Sequence, residues 1–384
     1  MKILFLINKA GGGGSERFVL DLAEELKSRG IGCVLACGLE GPLADRARAA
    51  GIKTVKLEME RRDFFSAPQR IAELCRSEEI DVIHAQFPRE NLYALRSLKF
   101  YDKPKVVWTC HWYQDQGIKW RLINKACAKK LFAAAAVYEG GMQILKANGI
   151  PVDKVCFINN GVKLPEDAKL SDATGAAETA GRSSAETACV AEAADPDVFE
   201  CCVLSRYSPE KGLDMLLDSV KLLDPDKPFR CMICGDGALY GHIGERIKAE
   251  GLEGRVVQAG YLMDASPVLQ RSQLFLSPSD KEGLSLGLLE ALAAGLPCVV
   301  TDTGASRSVA EDDPRCGICV KPGDAKNFAA AIEQYMNDKD LRLAHSKAAR
   351  EKSQKYSVRR MADEYIRLYE YGPGGITGGQ HEDR

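Results

Sequence analysis

The stretch LFLSPSDKEGLSLGLLEALAAGLPCVVTDTG, residues 274–304, decides the fold class of this chain. Its apolar start ends at Pro278, which is typical of a buried strand. A short polar turn follows, and leucines then recur at helical spacing until Gly295 and Pro297 end the helix. The run PCVVT predicts the next strand. The pattern is a strand–loop–helix–strand unit, the building block of a parallel α/β sheet.

Two carboxylates flank the helix start in this unit. Glu282 lies in the loop, and Glu290 lies one to two turns into the helix. Backbone N–H groups at a helix start stabilise an anion, and here they belong to Gly283, Leu284, Ser285 and Leu286. A ligand with a phosphate and several hydroxyls would suit this arrangement. Taken alone, the segment is also compatible with two solvent-exposed glutamates that have no binding role, on an ordinary helical connection between parallel strands.

A basic pair follows another predicted strand in mid-chain. Arg206 and Lys211 come after the apolar run 202–205 and before a helix that starts near Gly212. Two cations at the carboxyl end of a strand, spaced by a turn, suit two phosphate groups. A solvated basic pair is the alternative for this segment alone.

Near the N-terminus, the loop KAGGGGSER, residues 9–17, follows a strand and opens a helix. Its glycines permit a close backbone approach to a ligand, and Ser15 would suit a helix N-cap. The third glycine of a dinucleotide fingerprint is missing, and no Gly-Lys-Ser/Thr sequence occurs in the chain. The loop therefore predicts neither a dinucleotide site nor a P-loop.

The rest of the chain repeats the strand–helix alternation, first over about 165 residues and again from residue 199. Two open α/β domains are expected, with ligands outside the carboxyl ends of the strands and an active site in a cleft between the domains. The predicted parts are a first domain 1–167 joined by a final helix 357–371, an irregular connector 168–197, a second domain 198–356 and a disordered tail 372–384.

Composition sets the outer limits of function. The 384 residues carry a formal charge of −2, which gives no reason to expect nucleic-acid binding. No run of 18 uncharged apolar residues predicts a membrane span, and the first apolar stretch is too short for a signal peptide, so a cytoplasmic protein is expected. The fourteen cysteines are scattered, and the Cys-x-x-Cys pairs 231/234 and 316/319 lie too far apart for a zinc ribbon. No metal or other cofactor is expected.

Taken together, these segments resemble the retaining glycosyltransferases of family four, which have the GT-B fold. The resemblance rests on Glu282-x7-Glu290 with the following ALAAGLPCVVT, on GGSERFVL at 13–20, on SRYSPEKG at 205–212 and on NNGV at 159–162. It covers most of residues 1–371. It implies two Rossmann-like domains that face each other across a cleft, with the C-terminal helix returning to the first domain.

The resemblance also implies roles for individual residues. Arg206 and Lys211 would bind the diphosphate of a nucleotide-sugar donor, Glu282 the sugar hydroxyls and Glu290 the ribose. His111, at the end of the run KVVWTCH, would face the transferred sugar, and His84 is a weaker candidate. Further donor contacts would come from Gly12 and Gly13 near the diphosphate and from Gly235, Asp236, Gly260 and Tyr261 near the base.

The predicted function is therefore the retaining transfer of a sugar from a UDP- or GDP-sugar to a glycan or lipid-linked acceptor, in the synthesis of cell-surface polysaccharide or glycolipid. Two alternatives stay open at this point. One is a sugar-nucleotide epimerase of GT-B type, which would need no acceptor. The other is a non-catalytic nucleotide-sugar binding protein, although that class would be expected to have lost Arg206 or Glu282, and both are present.

A basic and aromatic segment adds a possible membrane partner. Residues 96–130 contain nine Lys or Arg against two Asp, interleaved with aromatic residues such as Trp108 and Trp112. Such a face would suit peripheral contact with an anionic membrane at the inner face of the cell. The alternative is a solvated helix face beside ordinary core aromatics.

Overall fold

The computed structural model describes residues 1–9, 11, 13–111, 117–165, 195–262 and 264–376. The chain divides into two compact units. The first comprises Met1–Gly161 and Val358–Arg384, and the second comprises Val162–Ser357. Most of the predicted connector 168–197 and the end of the predicted tail, 377–384, lie outside the described residues. Pro373–Gly375 form one 3-10 turn.

The first unit is built on a parallel sheet with the strand order β3-β2-β1-β4-β5-β6-β7. Its strands in the described residues are β1 Lys2–Ile7, β2 Gly32–Cys37, β3 Lys53–Lys56, β4 Val82–Ala85, β5 Lys105–Cys110, β6 Ala133–Ala136 and β7 Val155–Phe157. The helices between them are α1 Gly14–Ser28, α2 Pro42–Ala49, α3 Ser66–Ser77, α4 Pro88–Ser97, α5 Gly117–Cys127 and α6 Gly141–Ala147. The central strands are buried on both faces, which is why they read as unbroken apolar runs.

The second unit contains a parallel sheet with the order β10-β9-β8-β11-β12-β13. Its strands are β8 Phe199–Leu204, β9 Phe229–Cys234, β10 Val256–Gly260, β11 Leu274–Ser277, β12 Cys298–Thr301 and β13 Gly317–Val320. Its helices are α7 Leu213–Leu222, α8 Tyr240–Ala249, α9 Ser266–Arg271, α10 Leu286–Ala293, α11 Ser306–Glu311, α12 Ala325–Asn337 and α13 Lys339–Ser353. The deciding stretch forms β11, α10 and β12, as its pattern predicts.

The last helix, α14 Val358–Tyr371, belongs to the first unit and packs on α1. Its apolar face is buried through Met361, Tyr365 and Tyr369. The α/β class, the two parallel Rossmann-like sheets and the return of the final helix to the first unit are confirmed.

Each sheet has a switch point, where the chain leaves neighbouring strands in opposite directions. In the first sheet this point lies between β1 and β4, and in the second between β8 and β11. Open α/β sheets bind ligands outside the carboxyl ends of the strands at such a point. The residues that follow these four strands are therefore the first place to look for a site.

Among the described residues of 96–130, Trp108, Arg96 and Lys105 do not share one exposed face, so the prediction of a single basic and aromatic face is wrong for them; Trp112 lies outside the described residues. Trp108 is fully buried in the sheet, because β5 is a central strand. The Arg96 guanidinium lies 3.8 Å from the centroid of the Phe64 ring. Lys105 donates hydrogen bonds of 2.9 and 3.0 Å to the carbonyls of Tyr369 and Glu370 in the last helix. These side chains take part in internal packing.

None of the helices in the described part of the chain is both long enough and apolar enough to cross a bilayer.

Candidate functional site

Arg206 and Lys211 lie on the loop that leaves the central strand β8 at its carboxyl end. The loop closes with one 3-10 turn, Pro209–Lys211, and enters α7 through Gly212, whose φ is +63°. A Cβ at this glycine would lie 2.0 Å from the carbonyl oxygen of Pro278. Glycine is required there, since it alone allows both the left-handed backbone and the close approach of the two loops.

This approach sets Lys211 against a carboxylate of the neighbouring loop. The ammonium of Lys211 and the carboxylate of Glu282 form an ion pair in which each side chain is only 13% exposed. Arg206 is 63% exposed and donates from Nη2 to Glu210 Oε1 at 3.0 Å. Burial acts to raise the pKa of Glu210, but hydrogen bonds and the two neighbouring cations hold it below its usual value. The edge thus carries two cations that carboxylates already pair, Arg206 largely exposed and Lys211 largely buried.

Backbone contacts hold the loop between β11 and α10 in place. The N–H groups of Asp280 and Lys281 donate to the Glu210 carbonyl at 2.9 and 3.2 Å. On the other side Gly304, with a φ of +52°, approaches so closely that a Cβ would lie 2.0 Å from the Gly283 carbonyl oxygen. The loop is therefore clamped between its two neighbours, which limits the movement of the charged groups it carries.

The start of α10 is capped by its own sequence. Ser285 is the N-cap, and its Oγ accepts from the N–H of Leu288 at 3.4 Å. Leu284 is buried, whereas Ser285 and Leu286 are half-buried. Glu290, on the second turn, is also half-buried. The predicted amides and the second carboxylate thus lie within two turns of the same helix start.

The predicted base-binding residues follow the next two strands at the same edge. The N–H of Gly235 donates to the carbonyl of Gly260 at 2.8 Å, which ties the ends of β9 and β10 together. A Cβ at Gly235 would lie 1.8 Å from the Ser205 carbonyl oxygen. Asp236 is exposed, and the Tyr261 side chain is 41% exposed. The structure brings all the predicted site residues of the second unit to one edge of one sheet.

In the first unit His111 follows the end of β5. Its Nε2 lies 2.9 Å from Gln86 Oε1, and its ring packs edge-on against Phe18 with 4.9 Å between centroids. The Gln86 amide nitrogen donates to the His84 carbonyl at 3.3 Å, so its oxygen is turned to accept from His111. Burial lowers the pKa of His111 from 6.5 to about 4. The ring is therefore neutral near pH 7, with the proton on Nε2 and a hydrogen-bond acceptor at Nδ1.

His84, the weaker histidine candidate, has a structural environment. It is fully buried, its Nε2 lies 2.7 Å from Thr109 Oγ1, and its Nδ1 lies 2.8 Å from the hydroxyl of Tyr369. Thr109 Oγ1 in turn lies 2.7 Å from the hydroxyl of Tyr365. Burial lowers the pKa of His84 to about 3. This network joins β4 and β5 to the last helix.

The glycine-rich loop leaves β1 beside a buried carboxylate that the motifs do not indicate. Gly13 precedes α1 as its N-cap residue, and Gly12 lies outside the described residues. The N–H of Asn8, at the start of the loop, donates to Glu90 Oε1 at 2.9 Å. Glu90 is 3% exposed, and burial raises its pKa. Its place in the first turn of α4 looks like that of an ordinary surface charge, so only the fold identifies it as an anchor of this loop.

Among the residues that the structure describes, no group of three or more His, Cys, Asp or Glu side chains is arranged to hold a metal ion. All the cysteines in the described residues are thiols. Cys231 and Cys234 are buried in β9.

Comparison with known families gives two matches along the chain. Residues 12–165 match the model described as Glycosyltransferase Family 4, and residues 190–352 match the model described as Glycosyl transferases group 1. The matched ranges contain every predicted site residue.

Curated relatives are similar over different lengths. UDP-Gal:alpha-D-GlcNAc-diphosphoundecaprenol alpha-1,3-galactosyltransferase of Escherichia coli is 21% identical over 374 residues, 93% of each chain. The exopolysaccharide phosphotransferase SCO2592 of Streptomyces coelicolor is 30% identical over 168 residues, which are 43% of this chain and 18% of that protein. The putative glycosyltransferase EpsD of Bacillus subtilis is 27% identical over 45% of each chain. The chain thus spans less than half the length of some of the relatives that it matches.

Solved structures share the fold at low identity. Anabaena HepE in complex with UDP superposes with a TM-score of 0.77 at 19% identity, over 96% of this chain and all of that one. A glycosyltransferase from Rickettsia africae gives 0.79 at 19% identity, over 96% and 97%. With these matches added to the two parallel sheets and the charged edge of the second, the chain belongs to the group 1 glycosyltransferases, the family-four enzymes of GT-B fold.

Proposed function

We propose that this protein transfers a sugar, with retention of anomeric configuration, from a UDP- or GDP-sugar to a glycan or lipid-linked acceptor in the synthesis of cell-surface polysaccharide or glycolipid. The names of similar proteins support this choice. The E. coli relative acts on a UDP-sugar and a diphosphoundecaprenol-linked sugar, and HepE structures contain UDP or UDP-glucose. Another relative is a lipopolysaccharide core mannosyltransferase of Rhizobium meliloti, 28% identical over 173 residues.

The observation that carries the proposal is the contact between Lys211 and Glu282 at the switch point of the second sheet, with the exposed Arg206 on the same loop as Lys211. In a nucleotide sugar the diphosphate is bonded directly to the sugar. A cation for the phosphate and a carboxylate for the sugar hydroxyls must therefore lie side by side. These two groups are 71 residues apart in sequence and form an ion pair in the fold.

The proposed chemistry is stabilisation of the leaving group. As the bond between sugar and phosphate breaks, negative charge develops on the diphosphate, and Arg206 and Lys211 would stabilise it. Glu282 would hold the sugar hydroxyls and Glu290 the ribose. We assign no separate base, because the leaving phosphate would help to deprotonate the acceptor.

The remaining assignments concern the base and the transferred sugar. We propose that Gly235, Asp236, Gly260 and Tyr261 border the nucleotide base. In the first unit, His111 would contact the transferred sugar, and Gly12 with Gly13 would approach the diphosphate.

We propose further that the reaction needs no divalent metal and takes place in the cytoplasm. The two cations and the start of α10 would supply the positive charge that a metal ion provides elsewhere. The many thiols suit a reducing compartment.

The test is a donor screen followed by product analysis. Nucleotide sugars that bind should raise the unfolding temperature, since a ligand of the folded state stabilises it by an amount that grows with the logarithm of its affinity. With the best donor and a panel of glycan and lipid-linked acceptors, NMR should show a product with the anomeric configuration of the donor. Turnover should persist in excess chelator.

Three outcomes would contradict the proposal. An altered nucleotide sugar formed without acceptor would identify an epimerase. Binding without turnover, across the acceptor panel, would identify a binding protein. Loss of turnover on chelation that Mg²⁺ or Mn²⁺ restores would overturn the proposed metal independence.

A further inference from the structure

A cavity of about 290 Å³ opens at the amino edge of the second sheet. Its walls come from residues that directly precede three neighbouring strands: Val198 before β8, the loop 225–228 before β9 and Arg255 before β10. The proposed donor site lies at the carboxyl ends of the same strands. The proposed sugar transfer therefore gives this cavity no role.

Backbone hydrogen bonds of the sheet fix the walls of the cavity. The N–H of Phe199 donates to the carbonyl of Pro228 at 3.0 Å, which joins the start of β8 to the loop before β9. The N–H of Cys231 donates to the carbonyl of Arg255 at 2.7 Å, which joins β9 to the start of β10. The shape of the cavity thus follows from the pairing of the strands.

The charged groups around the cavity are mainly basic. Among the described residues that line it, Lys227, Arg230 and Arg255 are cations and Asp226 is the one acid. The ammonium of Lys227 donates to the side-chain oxygen of Asn337 at 2.6 Å, and this partner is neutral. The positive charge of Lys227 therefore stays available to a ligand.

Arg230 shares a buried carboxylate with a second arginine. Its Nη1 lies 3.5 Å from Glu200 Oε1, whereas Arg271 donates to both oxygens of Glu200 at 2.5 and 2.6 Å. The shorter, bidentate pair is the stronger of the two. Because a carboxylate carries a single negative charge, Glu200 can neutralise only one of these guanidinium groups.

Arg255 keeps donors that the fold leaves unused. Its Nη2 donates to the carbonyl of Asp224 at 3.2 Å, and its guanidinium lies 5.7 Å from the centroid of the Phe229 ring. Within the described part of the chain, neither Nε nor Nη1 has an acceptor. Nε is enclosed by protein, so the two N–H groups of Nη1 are the ones that a ligand could use.

A capping role for these cations accounts for only part of the arrangement. Helices α7 and α8 end at this edge of the sheet, and cations near a helix C-terminus are stabilised by the helix dipole. The contact from Arg255 to the carbonyl of Asp224, two residues beyond α7, fits that role. The ammonium of Lys227 and the Nη1 of Arg255 take no part in it.

From this arrangement we infer that the cavity binds a small molecule that carries a phosphoryl group. A phosphate ester presents several oxygen acceptors and a negative charge, which match the donors of Lys227, Arg230 and Arg255. The exposed Pro225 and Pro228 have no N–H and offer apolar surface to the organic part. The volume lies at the lower end of the range for small-molecule sites, about 300–1,000 Å³, so the ligand must be small.

The inference does not rest on the proposed sugar transfer. Strand β8, Phe199–Leu204, separates the cavity from the loop of Arg206. Its six residues span about 20 Å at about 3.3 Å per residue. A phosphorylated ligand at the amino edge would therefore leave the donor edge open, and both sites could be filled together.

Isothermal titration calorimetry of the full chain tests the inference. The probes are inorganic phosphate, ribose 5-phosphate and, as the uncharged control, ribose. Both phosphates should bind, and ribose should not, because the cations supply most of the attraction. Ribose 5-phosphate should bind more tightly than inorganic phosphate, since its sugar adds contact with the wall of the cavity.

Variants of opposite sign make the test specific. Lys227→Gln and Arg255→Gln should each weaken the binding of ribose 5-phosphate at least about tenfold, because each removes a charge-assisted hydrogen bond. Asp226→Asn should strengthen it about threefold, because it removes the one acid among the described lining residues. General damage to the fold would not produce a gain and a loss at neighbouring positions.

Two controls place the probe. Lys347→Gln removes an exposed lysine of α13 that does not line the cavity, and it should bind ribose 5-phosphate as the unchanged chain does. Arg206→Ala removes a cation of the donor edge and should also leave this binding unchanged. The unfolding temperature of each variant checks the fold. If Arg255→Gln fails to fold, Lys227→Gln and Asp226→Asn still decide the question.

Three results would overturn the inference. The first is the absence of binding of both phosphate probes to the unchanged chain. The second is normal affinity in Lys227→Gln. The third is a loss of binding in Arg206→Ala that the cavity variants do not show, which would place the probe at the donor edge. Failure of the proposed sugar transfer is a separate result, because it would appear in the screen of nucleotide sugars and not in these titrations.

Discussion

The carboxyl edges of the two sheets are built in opposite ways. In the second unit the edge carries ionised side chains on loops held by close backbone contacts, with the largely buried Lys211 against Glu282 and the exposed Arg206 against Glu210. In the first unit the edge carries His111, which burial keeps neutral and which Gln86 orients. The same sheet topology thus places ionised side chains, which suit a charged ligand, at the edge of the second unit. At the edge of the first unit it places a neutral histidine held in one tautomer.

The largest expected effect is the loss of a cation from the second edge. Arg206→Ala and Lys211→Ala should each lower turnover at least about a hundredfold with the fold retained, because each removes charge that stabilises the leaving diphosphate. Lys211→Ala also leaves the carboxylate of Glu282 without its ammonium partner. Turnover with the best donor and acceptor measures the effect, and circular dichroism checks the fold.

The matched control for these changes is Lys221→Ala, in the same unit. Lys221 is 47% exposed and pairs with Glu250 at 3.5 Å, on the outer surface of α7. Its loss should leave turnover near normal. Near-normal turnover in both the Arg206 and Lys211 variants would show that these residues do not stabilise the leaving diphosphate. The proposed difference between the two sheet edges would then be wrong as well.

A smaller effect is expected from the backbone that positions the charges. Gly304→Ala would put a Cβ 2.0 Å from the Gly283 carbonyl oxygen, whereas Gly323, with a φ of +76°, has nothing within 4 Å of its Cβ position. Both changes strain a left-handed residue by about 1 kcal/mol. Gly304→Ala should lower the free energy of unfolding by about 2 kcal/mol more than Gly323→Ala does, because the start of α10 must shift. The same shift should weaken donor binding. Calorimetry of the two variants measures the difference, and equal unfolding temperatures would show that the clamp is unimportant.

Removal of the neutral His111 ring from the first edge should lower turnover less than removal of a cation from the second edge. His111→Ala is expected to lower turnover about tenfold, mainly in kcat, through loss of one hydrogen-bonding group near the reacting sugar. His242→Ala is the control, since that ring is half exposed on α8 and pairs with Asp214 at 2.8 Å. A loss of a hundredfold or more, or none at all, would contradict the assigned difference between the edges.

Much of this arrangement could be predicted from the sequence, because parallel strands are recognisable. Runs such as ILFLI at 3–7 are apolar throughout, and a residue that follows such a run lies at the ligand-binding edge. Arg206, Glu282 and His111 could be located in this way. Their contacts could not be predicted, since the pairing of Lys211 depends on how closely Gly212 lets two distant loops approach.

Other features depend on tertiary contacts with no local signal. From the sequence, Glu90 has the position of a helix-surface charge, and the distant N–H of Asn8, 82 residues away, gives its buried carboxylate a partner. His84 ends a strand as a site residue would, but Tyr369, 285 residues away, covers it. By contrast, the error over Trp108 was avoidable, because the run VVWTC at 106–110 has the pattern of a central strand, and all five of its residues are buried.

The smallest predicted effect concerns the buried histidine of the first unit. Burial, with a smaller contribution from His111, lowers the pKa of His84 to about 3, whereas the unfolded chain has the ordinary value of 6.5. Between these values the unfolded state binds a proton that the folded state does not, so stability is full above pH 6.5 and falls as the pH drops. From pH 7 to 5.5 the loss from this group should be about 1.3 kcal/mol, before most carboxylates titrate.

Urea unfolding at the two pH values, followed by tryptophan fluorescence, measures this loss for the first unit alone, because Trp108, Trp112 and Trp120 all lie in residues 1–161. His84→Asn should be less stable than the unchanged protein at pH 7. Its free energy of unfolding should, however, fall by about 1.3 kcal/mol less between pH 7 and pH 5.5. Tyr369→Phe is the control: it removes the hydrogen bond at Nδ1 but keeps the ring buried, so its pH dependence should match that of the unchanged protein. If His84→Asn kept the full pH dependence, another group would be responsible. If Tyr369→Phe lost it, the hydrogen bond and not burial would hold the imidazole neutral, and the first edge would depend on its last helix for charge as well as for packing.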